Sequence, residues 1–224
     1  MYYSYTWGLM LLAIIISAFA QLKVSSTYSK YAKVRSRKNM PACDAARFIL
    51  DFNGLPGVRI EQIRGNLTDH YDPRAKVLRL SESVYHSASV AALGVAAHEA
   101  GHALQDQQGY MPLRLRSSLV PVASLGSRLS WVAIFLGFLL GFGGLIDLGI
   151  LLFCGVLLFQ LVTLPVEFDA SSRALAALEG GGVLETDEIS QTKKVLSAAA
   201  LTYLAAVLVS LLQLARLLLM RKRR

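Results

Sequence analysis

The chain has 224 residues, of which 54% are hydrophobic, and its mean hydropathy is positive at +0.46. This composition is too apolar for an ordinary soluble domain and is typical of a polytopic membrane protein. The formal charge of +8 does not indicate a nucleic-acid partner, because most basic residues flank apolar segments, where they face lipid headgroups and determine orientation.

The first apolar segment, residues 7–22, is nearly long enough to cross a bilayer, and aromatic residues precede it at positions 2–5. No Lys or Arg precedes the segment, whereas six basic residues follow it between Lys23 and Lys38. A secretory signal peptide carries its positive charge before the apolar core. The pattern therefore favours a retained anchor whose C-terminal end lies inside the cell.

Beyond this basic stretch the composition becomes mixed and predicts a small soluble unit. A short amphipathic helix is expected from Pro41, as its first residue, to the Asn53-Gly54 pair. Residues 58–63 and 76–80 alternate in polarity like strands, with a turn at residues 71–74 between them. We expect these segments to form a β-hairpin or meander.

A longer helix is expected to begin near Ser81 or Ser87 and to end at Gln108, before Gly109. It contains His98-Glu99-Ala100-Gly101-His102, in which the histidines are four positions apart. Such positions lie one turn apart on the same helical face, so both imidazoles can bind one zinc ion. Glu99 is rotated about 100° from His98 and can hydrogen-bond a metal-bound water without being a ligand. A catalytic zinc takes three protein ligands, so a further donor is required.

Two more apolar runs follow, at residues 129–146 and 148–166, and each is long enough to span a bilayer. Asp147, which lies between them near glycines, is expected to form the turn of a helical hairpin. Residues 195–215 form a fourth predicted span, and a basic tail ends at residue 224. The basic residues near the first, second and fourth spans place the catalytic segments inside, whereas four crossings would leave the tail outside, against the positive-inside rule.

The predicted hairpin returns Glu167 and Asp169 to the membrane surface, on a helix expected to start after Pro165. Either carboxylate can complete the metal site, but they point to different sides of a helix, so one of them must be the ligand. His70 and His86 lie near the predicted metal helix, and each is a candidate to stabilise the tetrahedral intermediate, although an isolated histidine is more often structural.

Residues 67–73, 96–105 and 163–171 resemble the corresponding motifs of the bacterial membrane-bound neutral zinc metallopeptidases. The motifs occur in the order of that family, with the double span between the second and the third, and the resemblance covers nearly the whole chain. It implies a gluzincin-type site in which His98, His102 and Glu167 bind one catalytic zinc ion and Glu99 is the base.

The wider gluzincin pattern often places an aspartate four residues after the ligand glutamate, where it holds a ligand histidine. This chain has Ser171 at that position. Asp169, a backbone carbonyl or Ser171 is left to hold the histidine. Arg173, almost two turns beyond Glu167, is a further candidate to contact the substrate or the intermediate.

Together these features predict a mainly α integral membrane protein, with four hydrophobic helices and a small α+β, gluzincin-like zinc-metallopeptidase unit at the membrane surface. The predicted parts are an anchor (1–22), a soluble metallopeptidase unit (23–128), a transmembrane hairpin (129–166), a third-ligand helix and loop (167–194), and a C-terminal transmembrane helix with a basic tail (195–224).

We expect a multi-pass protein of the inner (plasma) membrane, with its catalytic unit on the cytoplasmic side. It would hydrolyse peptide bonds of membrane-associated proteins or peptides through a zinc-bound water that Glu99 activates. Its partners would be lipid and such a substrate, not nucleic acid. The alternative is a non-catalytic membrane scaffold in which zinc clamps the double span to the soluble unit.

Overall fold

The computed structural model describes residues 2–222, with side chains from Thr6 onward. The aromatic side chains of residues 2–5 and the tail residues Arg223 and Arg224 lie outside the described residues. The helices are α1 (Tyr2–Tyr31), α2 (Ala42–Phe52), α3 (Glu82–Tyr85), α4 (Val90–Gln107), α5 (Met111–Leu140), α6 (Gly143–Gly180) and α7 (Thr186–Arg221). The strands are β1 (Arg59–Ile63), β2 (His70–Asp72) and β3 (Val77–Ser81).

Within residues 2–222, four helices are long and apolar enough to cross a membrane, namely α1 from Thr6 onward, α5, α6 and α7. The prediction of a mainly helical protein with four such helices is confirmed. Each helix is longer than the apolar run that predicted it, because backbone hydrogen bonding continues into the polar residues at its ends.

The chain divides into two compact units. The first comprises the described parts of Met1–Leu22, Arg114–Pro165 and Leu201–Arg224. Its buried apolar cluster is formed by α5, α6 and α7, with Ile134, Ile146, Ile150, Phe153 and Leu217 at the centre. Many other large apolar side chains of these helices are exposed, as a lipid-facing surface requires.

The hairpin turn of this unit lies at Gly141-Phe142, so the prediction of a turn at Asp147 is wrong. Gly141 has a φ of +70°, which glycine adopts without steric strain, and α6 begins two residues later. Asp147 lies inside α6, where its Oδ1 accepts from Arg221 Nε at 2.6 Å and its Oδ2 accepts from Arg221 Nη2 at 2.8 Å. The carboxylate therefore pairs the start of α6 with the end of α7.

The second unit comprises Lys23–Leu113 and Val166–Ala200. Its core brings together α2, β3, α4 and the last part of α6, and fully buried side chains from these elements include Leu50, Leu78, Leu93 and Leu178. Small residues on α4, such as Ala96 and Ala100, are also fully buried. Because alanine projects little beyond the backbone, the neighbouring elements can approach α4 closely.

The sheet of this unit has the order β1-β3-β2, with β1 parallel to β3 and β2 antiparallel to β3. The two predicted strands are present, but the expectation that they form a hairpin or meander is wrong, because β2 and β3 form the hairpin. Asp72 shapes its turn, since Oδ1 accepts from the backbone N–H groups of Arg74 at 3.0 Å and Ala75 at 3.1 Å. A strand of three residues is too short for alternation to reveal it.

Two helix starts differ from prediction by a few residues. Pro41 is the N-cap of α2 and not its first residue. Ser89, rather than Ser81 or Ser87, caps α4, because its Oγ accepts from the backbone N–H of Ala92 at 3.2 Å. The predicted end of α4 is confirmed, with Gln108 as the C-cap and Gly109 at a φ of +65°.

α6 continues through Pro165 without a break, so Glu167 lies in a helix interior and not in a first turn. Proline removes one backbone donor, but the helix on both sides of it is long enough to maintain the remaining hydrogen bonds. The apolar run and the Glu167 segment are therefore parts of one helix.

Candidate metal centre

Two histidines of α4 and a glutamate of α6 converge in the second unit. His98 Nε2 lies 3.2 Å from Glu167 Oε2, and His102 Nε2 lies 3.8 Å from the same oxygen. One potential ligand atom from each residue lies within 4.8 Å of the other two. Two imidazole nitrogens and a carboxylate oxygen are a donor set that zinc takes at catalytic sites, so these residues fit a zinc ion.

The close approach of α4 and α6 depends on a glycine between the two histidines. A Cβ atom at Gly101 would lie 2.5 Å from the carbonyl oxygen of Ala170, which is closer than atoms in contact can come. The three candidate ligand side chains are accordingly shielded, with 16% of the His98, 9% of the His102 and 3% of the Glu167 side chain exposed. The smallest residue therefore stands where α4 and α6 meet.

Two carboxylates, those of Glu167 and Glu99, influence the protonation of His102. Burial by itself lowers the pKa of His102, but the nearby carboxylates of Glu167 and Glu99 outweigh it, so that the pKa is raised. The same carboxylates that favour a proton on the imidazole favour a divalent cation in its place. A bound metal and a proton would therefore compete for this histidine.

Glu99 directly follows His98 on α4, but its carboxylate contacts β2. Its Oε2 accepts a hydrogen bond from the backbone N–H of Tyr71 in β2 at 3.0 Å. The hydroxyl of Tyr71 donates to Asp106 Oδ2 at 2.7 Å, and Lys76 Nζ contacts the same oxygen. The β2–β3 hairpin thus contacts α4 at Glu99, which precedes His102, and at Asp106, which follows it.

Each of the two histidines has a separate partner for its Nδ1 atom. His98 Nδ1 lies 3.1 Å from Ser171 Oγ, and His102 Nδ1 lies 2.9 Å from Gln105 Oε1. Asp169 Oδ2 accepts instead from Gln105 Nε2 at 2.7 Å and from Arg173 Nε at 2.5 Å. Asp169 therefore reaches a histidine only through Gln105, and it is outside the group of three potential ligands found in residues 2–222.

The other candidates from the sequence make their contacts elsewhere. His70 is exposed, with Nδ1 2.9 Å from the carbonyl oxygen of Thr68 and Nε2 3.3 Å from Arg79 Nη1. The His86 ring packs edge-on against Tyr85, with the ring centres 4.7 Å apart.

Arg173 donates from Nη1 to Gln108 Oε1 at 2.6 Å, in addition to its contact with Asp169. Its guanidinium carbon also lies 5.8 Å from the centre of the Tyr110 ring. The structure thus uses Arg173 to connect α6 to the end of α4.

Gln105, Tyr71 and Asp106 received no role from the sequence. Gln105 had one detectable signal, because it lies three positions after His102, on the same helical face as the two histidines. Tyr71 had no such signal beyond its place in the motif at residues 67–73. Its contact with Glu99 uses the backbone and joins residues far apart in the chain.

Comparison with known proteins identifies relatives along nearly the whole chain. Residues 6–222 match the family described as "Putative neutral zinc metallopeptidase". The "Putative membrane protease YugP" of Bacillus subtilis (strain 168) is 48% identical over 204 residues, which cover 91% of this chain and 91% of that protein. No solved structure gives a significant match. The similarity therefore extends through both units and is not limited to the histidine motif.

Proposed function

This chain belongs to the family of putative neutral zinc metallopeptidases, and on that premise we propose that it is a membrane-embedded, zinc-dependent endopeptidase with a gluzincin-like unit. The observation that carries this proposal is the convergence of His98, His102 and Glu167, with Glu99 directly after the first histidine on α4. A purely structural site at the two histidines would not require a second carboxylate, that of Glu99, in addition to Glu167.

His98 and His102, through Nε2, and Glu167, through Oε2, would hold one zinc ion. When bound by three protein ligands, zinc lowers the pKa of a water to about 7 and polarises a carbonyl group. Glu99 is not a ligand in this arrangement. Its position after His98 and its fixed hydrogen bond to Tyr71 leave its second carboxylate oxygen as the acceptor for a proton.

Glu99 would act as general base and then as general acid. It removes a proton from the attacking water, whose oxygen bonds to the peptide carbonyl carbon. It then delivers that proton to the leaving nitrogen as the carbon–nitrogen bond breaks. One carboxylate therefore serves both halves of the hydrolysis, and no covalent bond to the enzyme is formed.

The substrate class follows from the setting of the chain. Four apolar helices make it a membrane protein, and we expect proteins or peptides associated with the same membrane as substrates. Basic residues after the first span, before the second and before the fourth favour an inner-membrane orientation with the catalytic unit in the cytoplasm. The five-part division by residues 1–22, 23–128, 129–166, 167–194 and 195–224 remains our proposal for the organisation of the chain.

The decisive experiment is Glu99→Gln in the full-length protein, purified in detergent and loaded with zinc. We expect this variant to keep its zinc and to lose at least about a hundredfold in peptidase activity on a fluorogenic peptide mixture, because the amide cannot accept the proton. Glu179→Gln is the matched control, since Glu179 is exposed in the last turn of α6 and its loss should leave activity unchanged.

Full activity of zinc-loaded Glu99→Gln would overturn the assignment of the base. A wild-type protein that binds one zinc tightly but cleaves no peptide would support the non-catalytic scaffold instead, because a structural site requires the three ligands but not Glu99.

A further inference from the structure

We propose that Gln105 is a positioning residue of the metal centre. It keeps the proton of His102 on Nδ1 and connects His102 to α6 on both sides of Glu167. The inference rests on the proposed zinc site. Gln105 is completely buried and lies on α4 one turn beyond His102. An amide buried in a protein core is expected to use its donors and its acceptor.

The orientation of the Gln105 amide follows from its neighbours. Its Nε2 lies 2.8 Å from the carbonyl oxygen of Val166 and 2.7 Å from Asp169 Oδ2. Both neighbours are oxygen acceptors, so the two hydrogens of the amide nitrogen must point at them. The opposite orientation would place the amide oxygen against two other oxygens. Oε1 is therefore the atom that faces His102.

This orientation determines which ring nitrogen of His102 carries the proton. Oε1 can only accept a hydrogen bond, so His102 Nδ1, at 2.9 Å, must be the donor. A neutral imidazole with its proton on Nδ1 has a free electron pair on Nε2. That nitrogen faces Glu167 Oε2 at 3.8 Å, where the zinc ion would be bound.

The same amide also assembles the two halves of the site. Val166 directly precedes Glu167, and Asp169 lies two residues beyond it. Gln105 therefore donates hydrogen bonds to α6 on both sides of Glu167. Arg173 secures Asp169 at 2.5 Å and reaches Gln108 at the end of α4. Loss of Gln105 would leave the buried imidazole N–H of His102 without its acceptor and would remove the hydrogen bonds that connect α4 to Val166 and Asp169 on α6.

The test compares zinc affinity in the full-length protein for Gln105→Leu and for a control, Thr192→Val. Thr192 is also completely buried in the second unit, and its hydroxyl has no hydrogen-bond partner in residues 2–222. We expect Gln105→Leu to weaken zinc binding by roughly 10- to 100-fold in chelator competition, and Thr192→Val to remain within about threefold of wild type. The visible spectrum of the cobalt-substituted protein should change only in Gln105→Leu.

Asp169 provides a second variant, in case Gln105→Leu does not fold. We expect Asp169→Ala to weaken zinc binding by roughly three- to tenfold, because it removes one of the two acceptors that orient the amide. Asp169→Asn keeps an acceptor oxygen for the Gln105 amide but removes the negative charge. It should largely restore zinc affinity, which would separate the orientation of the amide from the charge of Asp169.

Folded Gln105→Leu with the zinc affinity and cobalt spectrum of wild type would overturn the inference, as would an unchanged affinity in Asp169→Ala if Gln105→Leu is not recovered. Neither result would affect the proposed peptidase function, which depends on the activity of Glu99→Gln. Conversely, an active Glu99→Gln would leave the role of Gln105 in zinc binding intact.

Discussion

The backbone N–H of Tyr71 donates a hydrogen bond to Oε2 of Glu99 over 3.0 Å and thereby joins the edge strand β2 to the proposed general base. The Tyr71 hydroxyl holds the same strand to α4 through Asp106 at 2.7 Å. One residue thus contacts the metal helix through its backbone and its side chain. The carboxylate of Glu99 has one oxygen held by a fixed donor, which limits its rotation.

The Tyr71–Asp106 contact predicts a pH-dependent contribution to stability. Burial, followed by the hydrogen bond to Asp106 and the nearby carboxylate charges, raises the pKa of Tyr71. An unfolded tyrosine ionises near pH 10, so the contribution of the neutral phenol is complete below about pH 10 and is lost as the pH rises further. Tyr71→Phe should therefore lower the thermal midpoint at pH 8, and the difference from wild type should narrow towards about pH 11. A constant difference at both pH values would contradict the contact.

Removal of the third ligand should empty the metal site. Glu167→Ala leaves two imidazoles, which do not complete a catalytic zinc site, so we expect zinc per protein to fall well below stoichiometric by elemental analysis. Glu179→Ala, on the same helix but exposed, should keep its metal. Unchanged zinc content in Glu167→Ala would transfer the ligand role to another residue, with Asp169 examined first.

Ser171 should contribute to zinc affinity through His98. Its Oγ lies 3.1 Å from His98 Nδ1, and such partners orient the imidazole. We expect Ser171→Ala to weaken zinc binding about tenfold, whereas Ser172→Ala, at an exposed neighbouring position, should have no effect. Equal affinities of the two variants, measured by chelator competition, would show that the serine hydroxyl does not hold the histidine.

Gly101 should be intolerant of a side chain. In Gly101→Ala the new methyl group would meet the Ala170 carbonyl oxygen at 2.5 Å and force α4 and α6 apart, at a cost of about 1–3 kcal/mol. Gly155→Ala, also on a helix but with no atom within 4 Å of the added Cβ, should be neutral or slightly stabilising. Thermal unfolding of both variants measures the difference, and the opposite order of stabilities would refute close packing at Gly101.

Local periodicity explains what was predictable in the metal helix. Positions four apart in an α-helix share a face, so the placement of His98 and His102 together required only that their segment be helical. The end of α4 at Gln108 and Gly109 also follows from nearby residues, because glycine accepts a left-handed backbone.

The two wrong predictions, of the turn at Asp147 and of the strand pairing, concern segments that contact residues far away in the chain. Asp147 looked like a turn residue, but it lies inside α6, where it pairs with Arg221 of α7, and Gly141 forms the turn. The two visible strands suggested a hairpin, but β3 pairs in parallel with β1 and forms its hairpin with β2. Neither pairing leaves a trace in the local sequence pattern.

The sequence by itself determined the membrane character, the four apolar helices and the helical face on which His98 and His102 lie, because hydrophobic length and helical period are local properties. Only the tertiary structure decided which carboxylate joins the two histidines and which side chains hold them. That choice depends on the approach of α6 to α4 at Gly101 and on the orientation of one buried amide, Gln105, between residues widely separated in the chain. Such contacts are specified by packing and by the need to satisfy buried polar groups, which no single stretch of sequence contains.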